Sequence, residues 1–187
     1  MARVSQAQAQ QNRERVVETA ARLFRERGVA GVSVADLMAA AGLTHGGFYK
    51  QFASKEALVA EAAGRAFADQ ETRVRTVGER HPGDPDAARK EWISQYLSLA
   101  HRDNPGEGCP TTALAPDVAR EALDSPARAP FLAGVESYAR HLSDGDEIDD
   151  EALVTLSTMV GALLISRATA GSPLSDRVLA ATRDALT

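Results

Sequence analysis

Residues 44 to 50 read Thr-His-Gly-Gly-Phe-Tyr-Lys, small and polar groups around one aromatic pair. Thr44, His45 and Lys50 supply a hydroxyl, an imidazole and an ammonium, groups that bond phosphate oxygens and base edges. Gly46 and Gly47 each cost a helix roughly 1 kcal/mol relative to Ala. Two in succession point to close backbone approach to a duplex. A second reactive group is Cys109, between Gly108 and Pro110 and just ahead of a helix start, where a thiol is acidified by nearby N–H groups. His45, His81, His101 and His141 show no metal-ligand spacing, and no nucleophile signature is present. Neither metal nor cofactor is expected, and an enzyme using a helical cavity is the remote alternative.

The elements that must position Thr44 to Lys50 are two short helical patterns separated by a glycine turn. The first carries Val34, Leu37 and Met38, and Gly42 stops it because glycine takes positive φ freely. Leu43 follows as an apolar plug, and Thr44 is expected to accept a backbone N–H as the cap of the next helix. Phe48 and Phe52, four apart, share one face of that helix. Ahead of both, Val16, Val17, Ala20, Leu23 and Phe24 form one helical face that ends at Gly28. This is the layout of a helix-turn-helix, whose second helix lies in the major groove of DNA. Thr44 at its N-terminus then faces a phosphate, with His45 and Lys50 at the groove or its rim. Ser33, Arg3 and Arg13 are weaker phosphate candidates.

The spacing Ser33-x-x-Asp36-Leu37-x-x-x-Ala41-Gly42-Leu43-Thr44-x-Gly46-x-x-Tyr49-x-x-Phe52-x-x-Lys55-Glu56-x-Leu58 closely resembles the DNA-binding segment of the TetR/AcrR regulators. The resemblance spans roughly residues 10 to 60, and departs from the usual pattern at Gln51 and at the doubled Gly46-Gly47. It implies that Tyr49 and Lys55 contact phosphates. It also implies a C-terminal domain that dimerises and binds a small effector, so that a repressor on a palindromic operator is released by that effector. Some members with a Gly-Cys pair in this region sense electrophiles or oxidants, which makes a redox-sensing regulator acting through Cys109 the alternative.

Charge placement agrees with a DNA partner. The net charge is −5, yet residues 1 to 58 hold eight Lys or Arg against five Asp or Glu, leaving the acidic excess on the remainder. The N-terminus has no apolar h-region, and the longest wholly apolar run, Met159 to Ile165, is far short of a bilayer span. A lone cysteine forms no intrachain disulfide, so the cytoplasm is the expected location.

Few aromatics and abundant Ala and Leu favour helix over sheet. The expected fold is all-α, about nine helices. A helix-turn-helix domain over 1–54 precedes an effector-binding and dimerisation domain over 55–187. Beyond Ser54, helices are expected near 54–78, 86–101, 113–123 and 127–142, then over the most apolar segment, 152–170, and last near the C-terminus. The 152–170 segment carries apolar residues on more than one face, with Gly161, Ala162 and Ala168 among them. One face would pack on its own core and one on a twin subunit. Phe67, Trp92, Tyr96, His101, Phe131, Tyr138, Met159 and Arg167, with Cys109, are the candidate lining of an effector pocket, since aromatic walls with a few polar tips suit a small apolar or aromatic ligand.

Overall fold

The computed structural model describes residues 6–145 and 147–187. Among them the chain forms nine α-helices and no strand: α1 (Gln6–Arg27), α2 (Val34–Ala40), α3 (Lys55–Arg80), α4 (Pro85–Tyr96), α5 (Leu99–Asp103), α6 (Pro110–Arg120), α7 (Arg128–Leu142), α8 (Asp150–Ala168) and α9 (Pro173–Leu186). Two 3-10 turns, His45–Lys50 and Pro105–Glu107, complete it. Local chemistry sets most ends. Gly28 and Gly42, both at φ 71°, terminate α1 and α2. Ser54 caps α3 by accepting from the Ala57 N–H at 3.1 Å.

Two expectations need correction. The helix near 86–101 is two helices, because the Ser98 hydroxyl accepts from the His101 N–H and starts a new one. The helix near 113–123 begins earlier, at Pro110, because Cys109 caps it and proline suits its first position.

The interior forms two clusters. One joins α1, α2, the His45–Lys50 turn, Leu58 to Ala66 of α3, and Leu114 and Val118 of α6. The other joins Phe67, Val74 and Val77 of α3 to α4, α7, α8 and α9. The packing seam thus crosses α3 between Ala66 and Phe67, and α6 packs with the N-terminal helices. As a whole, α8 is long and apolar enough to cross a membrane by length and composition. Its inner residues, including Leu156, Met159 and Leu163, are buried in the second cluster. Leu153, Val154, Leu164 and Ile165 are exposed. The apolar residues of this helix therefore divide between faces: Leu156 and Leu163 inward, Leu153 and Leu164 outward.

Candidate functional site

The His45–Lys50 segment is a 3-10 turn, not the α-helix expected. Gly46-Gly47 weakens an α-helix, and six residues are few enough to close as i→i+3 turns. Phe48 is 0% exposed and stacks on Phe52 with ring centroids 5.4 Å apart. The neighbouring Tyr49 is 69% exposed. The two adjacent aromatics thus divide, one into the core and one to the surface. His45 and Lys50 are exposed on the same short turn, with Thr44 at its start. Thr44 takes an extended conformation and makes no side-chain cap bond, correcting the expected capping role. Its hydroxyl is left for another acceptor or donor. A Cβ added at Gly46 meets nothing within 4 Å, so that backbone is open to approach.

The flanking candidates are engaged within the fold. Ser33 caps α2, accepting from the Asp36 N–H while its hydroxyl donates to the Asp36 carboxylate at 2.6 Å. Lys55 Nζ donates to the Val29 carbonyl at 2.7 Å. Arg13 pairs with Glu61 at 2.6 Å and lies 4.8 Å from the Phe52 ring centroid. Arg3 lies outside the described residues.

Sequence reading missed what ties this unit to the rest. The Asp117 carboxylate of α6 accepts from the Val29 N–H at 3.1 Å. Buried Arg25 of α1 donates to the Gly108 carbonyl at 3.2 Å, and Gln70 of α3 donates to the Glu107 carbonyl at 2.7 Å. An acid on an amphipathic helix reads as solvated, and nothing local marks a partner 88 residues away.

Cys109 sits in this junction, 0% exposed, its sulfur accepting from the Thr112 N–H. The Cys109 N–H donates to His101 Nε2 at 2.9 Å. That requires Nε2 to be an acceptor, so the proton resides on Nδ1 and points at the Tyr96 carbonyl, 2.7 Å away. Burial, assisted by the Arg167 guanidinium, pushes His101 from 6.5 down to about 4, against the Tyr96 hydrogen bond that favours its charged form. Arg167 in turn donates to the His101 carbonyl at 2.9 Å. The unfolded chain binds a proton below 6.5 that the folded chain refuses until about 4. Stability is therefore complete above that window and falls as pH drops through it, by up to about 3 kcal/mol. Urea titrations of wild type and His101→Gln at neutral and acidic pH test this. The wild type should lose the more stability on acidification, and equal losses would refute the assignment.

Most aromatic pocket candidates pack against one another. Phe67 makes edge contacts with Phe131 and Tyr138, and Tyr138 with Trp92, centroids 5.6–5.7 Å apart. Burial raises the Tyr138 and Tyr96 hydroxyls well above their ordinary range, and Tyr96 bonds Thr112 at 2.9 Å. Met159 is wholly buried. Open space lies at the edges instead. A groove of about 570 Å³ is lined by Trp92, Tyr96 and His101. Another of about 520 Å³ is lined by Val74, Val77, Arg89, Trp92 and His141. Phe131 lines a third, between α6 and α7. Phe67, Cys109, Tyr138, Met159 and Arg167 border none of these three.

Residues 16–62 match the family model described as bacterial regulatory proteins, tetR family. The chain is 32% identical over 104 residues to the transcriptional regulator AcrR of Shigella flexneri, covering 52% of this chain and 45% of that protein. It is 30% identical over 97 residues to the transcriptional repressor DhaR of Mycobacterium sp. (strain GP1), covering 52% and 47%. The matched segments thus span about half the length of these relatives. The fold matches the crystal structure of a TetR transcriptional regulator from Chloroflexus aurantiacus, with TM-score 0.76 and 26% identity over 96% of this chain and 94% of that one. The helix-turn-helix geometry, the family model over residues 16–62 and the full-length fold agree: the N-terminal segment matches the DNA-binding segment of the tetR family, and the fold is that of a TetR transcriptional regulator.

Proposed function

We propose that this protein is a cytoplasmic, ligand-responsive repressor and not an enzyme. In this reading it binds a palindromic DNA operator as a homodimer and releases it when a small effector binds the C-terminal helices. The observation that carries the reading is the His45–Lys50 turn, which buries Phe48 and holds Tyr49, His45 and Lys50 outward. Thr44, Gly46 and Gly47 extend the same surface, and Ser33 and Lys55 flank it. Exposed apolar residues along α8 support a dimer. Helix α3 runs from Lys55 beside this turn to Arg80 at the far end, so an effector that moves α3 moves the DNA-binding unit. Cys109, buried and hydrogen-bonded, is closed to a bulky electrophile in this conformation, which disfavours the redox-sensing alternative.

Selection of duplex DNA with the purified full chain, followed by gel shift, tests the proposal. Enriched sequences should be palindromic, with half-sites one helical turn apart or a multiple of it. Affinity should fall with salt by a log–log slope of roughly 0.9 per phosphate neutralised. Tyr49→Phe should weaken all sequences by a similar factor, whereas His45→Ala and Lys50→Ala should change which sequences win. Salt-independent binding, or no sequence enriched, would refute the DNA-binding reading.

A further inference from the structure

We infer that the groove between the C-terminal half of α3, the first turns of α4 and the end of α7 is a binding site for an organic carboxylate with a flat apolar body. The groove holds about 520 Å³, within the range of small-molecule sites. Val74, Val77, Ala88 and Trp92 give it apolar walls. Its charged groups are nearly all committed elsewhere. Arg75 pairs with Glu79 on α3, and Asp84 caps α4 through the Ala87 N–H. His81 bonds Glu91, and His141 of α7 bonds Glu71.

Arg89 is the exception. Its Nη2 makes only long contacts, 3.3 Å to the exposed Glu151 carboxylate and 3.4 Å to Thr155 Oγ1. Its Nε is buried with no hydrogen-bond partner. A buried cationic N–H left unpaired is costly, and the ligand group that best satisfies a guanidinium edge is a carboxylate, which accepts two parallel N–H bonds. The flat body follows from Trp92, the rigid aromatic wall of the groove. The site lies about 28 Å along α3 from Lys55, at roughly 1.5 Å per residue. Its role as the effector site rests on the regulatory reading above; carboxylate binding as such does not.

The test uses the full-length protein, 1-naphthoate as probe and 1-naphthalenemethanol as its uncharged counterpart. The chain has a single tryptophan, so quenching of its emission reports on the groove wall directly. Saturable quenching by the acid is expected below about 1 mM, with the alcohol weaker by about tenfold or more. Arg89→Met should remove that preference while helix content and operator binding stay as in wild type. Should Arg89→Met lose helix content, Arg89→Lys, which keeps the charge but not the Nε donor, should still bind the acid less tightly than wild type.

Trp92 also borders the groove lined by Gln95, so Gln95→Ala is the positional control and should leave naphthoate binding unchanged. Equal affinity for acid and alcohol, no saturable binding, full affinity in the Arg89 variants, or loss in Gln95→Ala would each overturn the site. If naphthoate binds through Arg89 but leaves the operator complex intact, the carboxylate site stands and the effector reading falls. If operator binding is sound and naphthoate does not bind, the DNA-binding reading stands and the carboxylate site falls.

Discussion

Ile165→Asp is expected to convert the protein to a monomer and to reduce operator affinity by about a hundredfold or more. Ile165 is 50% exposed and Val154, three turns earlier on α8, is 64% exposed. Leu153 and Leu164, one residue away from each on the helix, are exposed too. Between them, a Cβ added at Gly161 meets nothing within 4 Å, so a partner helix can approach the backbone closely. Two hydroxyls of this helix bond back to its own backbone: Thr158 donates to the Val154 carbonyl at 2.8 Å and Thr169 to that of Ile165 at 2.9 Å. A carboxylate buried there without a partner costs far more than a surface charge. Operator affinity falls with the dimer because the second half-site is bound intramolecularly, at an effective concentration a free monomer cannot match. Sedimentation velocity and gel shift read both effects, with Ala133→Asp on α7 as the exposed control. If Ile165→Asp stays dimeric, the interface lies on another face.

Gly134→Ala is expected to destabilise the fold by about 2 kcal/mol, although alanine is the better helix former by roughly 1 kcal/mol. Gly134 is buried in α7, and a Cβ there would clash with the Phe67 ring, nearest its Cγ. Phe67 cannot swing clear, since Phe131 and Tyr138 pack edge-on against it. The strain therefore passes to α3 or α7. For a chain of this size the thermal midpoint should drop by roughly 4–8 °C. Gly64→Ala on α3 is the matched control: its Cβ would meet only the Pro130 Cβ at an ordinary 3.8 Å. It should be neutral or stabilising by up to about 1 kcal/mol. Equal stability of Gly134→Ala and wild type would show that the α3–α7 contact yields more easily than its packing implies.

What could be read without coordinates was local in origin. Apolar residues at helical spacing placed the first helices. Gly28 and Gly42, at positive φ, ended two of them. Ser54 began the long third α-helix, and Phe48 with Phe52 marked the inward side of the DNA-facing turn. Each of these depends on residues within about two helical turns, where periodicity and capping act. The form of that turn was not legible, because the cost of Gly46-Gly47 had to be weighed against packing of Phe48 beneath it. Nor was the fate of Phe67 and Tyr138, since an aromatic side chain lines a cavity or fills it according to which rings the distant helices bring alongside. The tautomer of His101, the bond from the Val29 N–H to Asp117 and the unpaired Nε of Arg89 all arise between groups far apart in the chain. Their energetics depend on burial and on partners that only the packing of α3, α6, α7 and α8 assembles.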